Sequence, residues 1–406
     1  MKKIHALTLA SAISAAYASP TIAEEASSIT EALKGGDVTL SLRMRYEDVT
    51  VANPVAGEKD GTADLLSLKT RLTYVSQDFK GFGLGLEMDD VTHLQDYEPE
   101  GAGVGDPEGT EVNQYYLSYK AAKTTAKIGR NRILLDNQRF VGGVGFRQNE
   151  QTYDSFVIQS KDVENLTLFG SYITAVKRIF GEQDPRGVHD NQTILLNAKY
   201  AFNDAVNLTG YYYDIDNLTP AAVGFSTNTM GVRLTGKAGG LGYEAEVATQ
   251  SESGDNPAEY SAGYFSANLS YAFKPVTISG GYESLGTDED KGRFITPLAT
   301  LHKFQGWTDV FLGGGSGNVE GGIDDIFFKV AGKAGPVKLA AVYHQFDVND
   351  SDQTGFDSFG SEIGFVVAGK VKGVGLSLKY ADFSADEKAT GYRDTQKLWL
   401  TAEASF

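Results

Sequence analysis

The chain has 406 residues, with 36 Lys and Arg against 53 Asp and Glu, a formal charge of −17. An acidic chain with no basic stripe to neutralise phosphates excludes nucleic acid as a partner. Glycine at 47, Tyr at 21 and Phe at 22 against 10 Pro favour strands joined by turns over helices or disorder, and the absence of Cys suits an exported chain that avoids stray disulfides.

The first segment reads as an export signal. MKK supplies a positive start and ALTLASAISAAYAS a short apolar stretch, with small residues at cleavage positions after Ala18 or Ala23. Loss of 1–23 removes Lys2 and Lys3 and takes the charge to −19. Beyond it no run of 18 apolar residues occurs, so no transmembrane helix is available.

From residue 38 onward the chain alternates apolar and polar residues almost to its end. In the first segment Leu40, Leu42, Met44 and Tyr46 share one face, and Ser41, Arg43, Arg45 and Glu47 the other. The next sets Leu66, Leu68, Leu72 and Tyr74 against Lys69 and Arg71, and a third sets Phe82, Leu84, Leu86 and Met88 against Glu87 and Asp89. Eighteen such segments are expected, opening with 38–47, 65–77, 82–92, 111–121, 124–132 and 151–160 and closing with 359–370, 374–384 and 394–406. Sixteen is the alternative, if a weak segment such as 124–132 belongs with a neighbour to a loop.

The connections alternate short (QDFKG, AAK, KP, VKG) and long (48–64, 93–110, 133–150, 285–322). An all-β, transmembrane, antiparallel up-and-down β-barrel has this signature, with short periplasmic turns and long outer loops. A propeller would show a blade repeat of about 40 residues, and none is found. The reading is therefore a signal peptide, 1–23, followed by a single barrel domain, 24–406, in the outer membrane of a Gram-negative cell. Its surroundings are membrane lipid and lipopolysaccharide. Tyr46, Tyr74, Tyr119, Tyr200, Tyr212, Tyr271, Tyr282 and Tyr380 lie near segment ends on the apolar parity, where an aromatic girdle would sit.

With the apolar parity on lipid, the lumen receives Arg43, Arg45, Lys69, Arg71, Glu87, Asp89, Lys199, Arg233, Glu244, Glu246, Asp325, Lys329, Glu362, Lys379, Lys397 and Glu403. A barrel of 16–18 strands leaves an aqueous channel, and charged walls then set its selectivity. One stretch breaks the parity. Ala126 and Ile128 are in register with Arg130 and Arg132, which would put two arginines in lipid. Either Gly129 marks a bulge that flips the register, or the chain leaves the hydrocarbon there. Arg130, Arg132, Arg139 and Arg147, set among glycines, are candidates for an inward-folded constriction; the alternative is an external loop that meets lipopolysaccharide phosphate.

The longest connection, 285–322, is too apolar to dangle in water. It is expected to pack into or over the pore mouth as a lid through Thr296, His302, Lys303, Phe304 and Trp307; the alternative is a pair of extra β segments above the membrane. In 347–357, Asp350, Asp352 and Gly355 slightly resemble a calcium loop, but the closing Glu is absent and position twelve is Ser361, so no metal site is expected. The histidines His93, His189, His302 and His344 form no HExxH pair, and no GxSxG elbow or P-loop occurs, so neither enzyme nor cofactor is expected. The last segment, TQKLWLTAEASF, finishes as a strand because a barrel must pair its final strand with its first.

GRNRILLDNQRFVGGVGFRQNEQTYDSF (129–156), RIFG (178–181), TPLATLHKFQGWTD (296–309) and the terminal KLWLTAEASF resemble the alginate-export-type outer-membrane porins. The resemblance implies an 18-stranded barrel, passive diffusion of solutes, and an electropositive constriction onto which Arg130, Arg132, Arg139 and Arg147 are carried. Phe406 is similarly carried over as the terminal signal read by the barrel assembly machinery. The chain is shorter than the alginate exporter and strongly acidic, so the expected role is broader: passage of small hydrophilic solutes, oligosaccharide or organic acid, with anions favoured at the arginines. A non-conducting surface barrel that binds glycans through its acidic loops is the competing reading, and a barrel enzyme acting on lipids a third.

Overall fold

The computed structural model describes residues 26–53 and 59–406, so the signal segment and its cleavage sites lie outside the described residues. The strands are β1 (Asp37–Val51), β2 (Gly61–Val75), β3 (Phe82–His93), β4 (Gly109–Ala121), β5 (Thr124–Asn131), β6 (Thr152–Ser160), β7 (Leu166–Lys177), β8 (Val188–Asn203), β9 (Val206–Ile215) and β10 (Thr227–Ala238). They continue with β11 (Leu241–Glu252), β12 (Ser261–Phe273), β13 (Val276–Leu285), β14 (Thr287–Asp288), β15 (Gly292–Arg293), β16 (Ile323–Ala334), β17 (Val337–Val348), β18 (Ser358–Val371), β19 (Val374–Ala385) and β20 (Thr395–Ser405). All except the small β14–β15 hairpin form one closed 18-stranded antiparallel sheet in which each strand pairs with its sequence neighbours. The expected eighteen strands are present, and 124–132 is a barrel strand.

Closure runs from Ser41 opposite Ser405 to Val51 opposite Thr395. Leu40 and Phe406 then exchange both backbone hydrogen bonds, at 3.1 and 2.8 Å. The last residue is thus part of the seam, because an unpaired edge in lipid would leave donors and acceptors with no partner.

The outward face carries what lipid requires. Leu117, Ile128, Phe82 and Leu269 are each about 60% exposed, while Arg45, Glu47 and Lys69 on the opposite parity are buried inside. Tyr74, Tyr119, Tyr200 and Tyr271 lie near the short-turn ends of their strands, and Tyr46, Tyr212, Tyr282 and Tyr380 further toward the long-loop ends, which makes two aromatic girdles. By the usual barrel orientation the short turns are periplasmic and the long loops extracellular.

At the long-loop ends the alternation fails, because both faces are apolar. Phe140 packs on Tyr211, Tyr264 and Phe294, and Phe311 on Phe346, Phe359 and Phe383, all inside the wall. These inward aromatics are the floor on which loop segments are laid.

Candidate functional site: the lumen and its two inward segments

Gly129 adopts φ +124°, and a Cβ there would lie 2.3 Å from the Tyr115 carbonyl oxygen, so the position needs glycine. The register through Ile128, Gly129 and Arg130 is unbroken on β6, and the bulges fall on neighbouring pairs at Glu87/Met88 and Asp154/Ser155. Of the two resolutions offered by the sequence, the second is the one observed: the wall stops at Asn131.

Arg130 consequently stays on the outward parity. It reaches Asp154 and Glu182 at 2.8 Å each and the Val112 carbonyl at 2.8 Å. Its neighbours tie the extracellular rim together, so the expectation of a constriction role for Arg130 is corrected: one residue of strand geometry separates it from the lumen.

Residues 132–151 turn into the barrel. Arg43 donates from Nη1 to the Gly145 carbonyl at 3.0 Å and from Nε to Gln148 Oε1 at 2.9 Å, and Arg45 donates to the Phe146 carbonyl. Two wall arginines thus hold the turn by its backbone. A second inward segment, 294–322, lies against the first. Gly142 N–H donates to the Leu298 carbonyl at 2.8 Å and Thr300 N–H to that of Gln138 at 3.0 Å. The segments are so close that a Cβ on Gly142 would sit 2.2 Å from Thr300 Oγ1. The 285–322 connection divides: Thr287–Asp288 and Gly292–Arg293 form a small β hairpin, and the stretch after it lies against the first inward segment.

Three charged nodes fix these segments. In the first, Arg71 holds Asp89 with two hydrogen bonds of 2.6 Å and Glu150 at 2.8 Å, while Arg132 reaches Glu87 at 2.8 Å and Glu150 at 2.6 Å; Lys69 adds Asp89 at 3.1 Å. Burial pushes the Glu150 carboxyl up, but the Arg132, Arg71 and Lys69 charges outweigh it and hold the group well below the usual carboxylate range.

In the second node Arg147 bridges Glu47 at 2.9 Å and Asp309 at 3.0 Å, and Lys397 reaches Asp309 at 3.2 Å. His302 Nδ1 lies 2.8 Å from Asp309 and its Nε2 2.6 Å from the Lys379 ammonium. An ammonium only donates, so Nε2 accepts and Nδ1–H donates to Asp309. The Lys379 ammonium also sits 4.0 Å from the Trp307 ring centroid and 4.7 Å from that of Phe146. Burial raises Asp309, yet His302, Lys397 and Arg147 hold it well below its ordinary value.

The third node is Arg139, fully buried, with Glu283 and Thr296 at 2.8 and 2.9 Å and the Phe304 ring beneath it. Across the lumen Arg233 pairs with Glu244 at 2.5 Å, Tyr211 donates to Glu246 at 2.8 Å, His344 meets Asp325 at 2.9 Å, and Glu362 accepts from the backbone of Trp307 and Thr308. Lys303 donates to the Asn137 carbonyl at 2.9 Å.

All sixteen charged residues assigned to the lumen lie on the inward parity, and Arg132, Arg139 and Arg147 converge there from one segment. The carboxylates of the nodes are spent in ion pairs. Among the described residues Arg43, Lys127, Lys199, Lys329 and Lys379 have no carboxylate within 4 Å, and Glu403 is an inward acid likewise outside any ion pair. Glu150, Glu283 and Asp309 escaped the sequence reading because each is defined by a partner more than a hundred residues away or on another strand. Asp350 and Gly355 are the caps of a short helix, α1 (Ser351–Thr354), which accounts for their spacing.

Three comparisons bear on this geometry. A profile of the family described as Alginate export matches residues 36–280. Pseudomonas aeruginosa OccK9 (OpdG) superposes with a TM-score of 0.71 at 18% identity, covering 92% of this chain and 99% of that one. OpdK with vanillate, from the same organism, gives 0.71 at 14% identity over 92% and 99%, and Acinetobacter baumannii OccAB2 gives 0.69 at 16% over 93% and 99%. No curated protein matches the chain in sequence. At these identities the structural likeness speaks for the barrel fold.

Proposed function

Because the chain belongs to the alginate-export family, and its barrel is an outer-membrane one of the porin type, we propose that it is a channel for passive diffusion of small hydrophilic solutes with a preference for anions. One observation carries the preference. Inside the wall the acids of the nodes are consumed by arginines, while among the described residues Arg43, Lys127, Lys199 and Lys329 have no carboxylate within 4 Å. Charge that is not neutralised locally sets which ion enters a pore, so the acidic total of the chain does not decide its selectivity. Two inward segments lie inside the wall, and the presence of Arg132, Arg139 and Arg147 on one of them supports the reading of a constriction there. The solute class is that of organic acids and acidic oligosaccharides, and OpdK, a structural relative, was solved with vanillate. No step in this function calls for catalysis.

Reconstitution in a planar bilayer across a KCl gradient tests it. Steady open currents with a reversal potential on the chloride side are expected. Cation preference would remove the arginine and lysine walls from control. Silence of correctly inserted barrels would favour a surface receptor that binds glycans through the acidic loops 96–111 and 347–357.

A further inference from the structure

Ahead of β1 the chain makes a short helix, Ile29–Lys34, that has no part in the lumen. Ser28 caps it, its Oγ accepting the Glu31 N–H at 3.2 Å. At helical spacing Ile29, Ala32 and Leu33 share one arc, and Thr30, Glu31 and Lys34 the other. Ala32 is 5% exposed, and its carbonyl accepts the Gln77 N–H at 3.1 Å from the short turn between β2 and β3. Ile29 and Leu33, on the same arc, stand 63% and 44% exposed. Tyr74 shows on which side of the wall they lie. It belongs to the short-turn girdle, on the outward parity of β2 opposite Val38, and donates its hydroxyl to the Leu33 carbonyl at 2.6 Å. The helix is therefore outside the wall, at the depth where girdle tyrosines meet lipid head groups. Its bare arc continues the lipid face of Val38, Leu40 and Phe406, all exposed at or beside the seam. Two cations stand at this corner. Lys34 ends the helix and Lys80 lies over the Phe79 ring at the tip of the β2–β3 turn, and neither makes an ion pair among the described residues. The nearby acids are engaged or turned away: Glu31 accepts the Ser27 N–H at 3.0 Å, Asp78 pairs with Lys120 at 2.7 Å, and Asp37 lies on the inward parity.

We propose that Ile29–Lys34 is an interfacial foot, a contact with the periplasmic leaflet of the outer membrane beyond that of the strands. Ile29 and Leu33 enter the boundary between head groups and acyl chains, as the apolar face of a surface helix does. Lys34 and Lys80 meet the phosphates of anionic phospholipids there. The foot holds the β1–β2 end of the barrel, beside the seam, at a fixed depth in the leaflet. The inference rests on the place of the barrel in the outer membrane and is independent of what crosses the lumen.

The experiment places single nitroxide labels on folded barrels in vesicles of phosphatidylcholine with and without phosphatidylglycerol. The chain has no Cys, so Leu33→Cys and Thr30→Cys each carry one label, with Leu40→Cys as the reference for the lipid face. Relaxation by oxygen, which concentrates in lipid, and by a water-soluble nickel chelate reads the depth of each label. The Leu33 label is expected to follow that at Leu40, open to oxygen and shielded from nickel, and the Thr30 label to show the reverse. A Leu33 label as open to nickel as the Thr30 label overturns the inference. So does one shielded from both reagents, which is packed on protein. Shielding that arises only in native outer-membrane fragments assigns the arc to a periplasmic partner and overturns it as well. In the phosphatidylglycerol vesicles, native mass spectrometry counts the anionic lipids that the barrel retains. Lys34→Gln with Lys80→Gln should lower that number at least about twofold, and an unchanged number overturns the head-group contact. The heat-modifiable gel shift certifies that each variant is folded, and Ile29→Cys replaces Leu33→Cys should the latter fail to insert.

Discussion

Arg139 reaches across the lumen from the first inward segment to Glu283 on β13, Nε to Oε1 at 2.8 Å, with its side chain wholly shielded from water. Tyr264 donates to the same Glu283 oxygen at 2.8 Å. A segment that begins on one wall is in this way tied to a strand 144 residues further along the chain. Arg139→Met would leave Glu283 buried with only a phenol for company. Breaking one side of such a pair costs about 3–5 kcal/mol, so the heat-modifiable gel shift of the folded barrel should move to a markedly lower temperature. An unchanged transition would mean that the tie is not closed in the membrane.

Gly142 is the point of closest approach between the two inward segments. Gly142→Ala inserts a methyl 2.2 Å from Thr300 Oγ1, and overpacking of this kind costs about 1–3 kcal/mol. The segments should part rather than the barrel unfold. Noisier and larger single-channel conductance is expected, with the gel shift unaltered.

Arg147 neutralises Glu47 and Asp309 together. Arg147→Gln keeps hydrogen-bonding capacity but leaves Glu47 without its cation and Asp309 with only Lys397 and His302. The reversal potential in a KCl gradient should move toward potassium; retention of the full chloride preference would place the selective step elsewhere.

Acid should act late. Glu150 and Asp309 titrate well below the usual carboxylate range in the folded chain. Their folded values lie below the unfolded one of about 4, so the stability they lend is complete above that pH and is lost as pH falls through the folded values. Conductance should thus hold steady from neutrality to about pH 4.5 and rise only in stronger acid, as the inward segments come loose. A rise near pH 6 would point to other groups.

Phe406 closes the seam with two backbone hydrogen bonds to Leu40. Deleting it removes both and, on our reading, the signal for the barrel assembly machinery. Less folded barrel in the outer membrane is expected, together with unassembled chain in the periplasm. Phe406→Tyr should restore most of the yield.

The wall was legible from one end of the sequence to the other. Period-2 alternation and alternating connection lengths pointed to eighteen strands, with sixteen left open at 124–132, and gave their inward and outward faces and the closure at the last strand, because a lipid face tolerates no error of parity. Where the sequence reading stopped is instructive. Arg130 and Arg132 look equivalent in GRNR, yet one stays on the rim and the other enters the lumen, since the wall ends between them at Asn131. The inward aromatics Tyr211, Phe346 and Phe383 also gave no distinct signal, because strands apolar on both faces lose their alternation where loops cover the inside.

By itself, the sequence determined the barrel, its sidedness and the sign of each wall position. Those follow from local rules: side chains alternate on a strand, and backbone groups in lipid must pair. The tertiary structure decided which charges are spent and which remain. The Arg147 charge is spent on Glu47 and Asp309, and Lys379 is left to a histidine and aromatic rings. Neutralisation depends on distances of a few ångström between residues far apart in the chain, and only closure of the barrel around its two inward segments sets them.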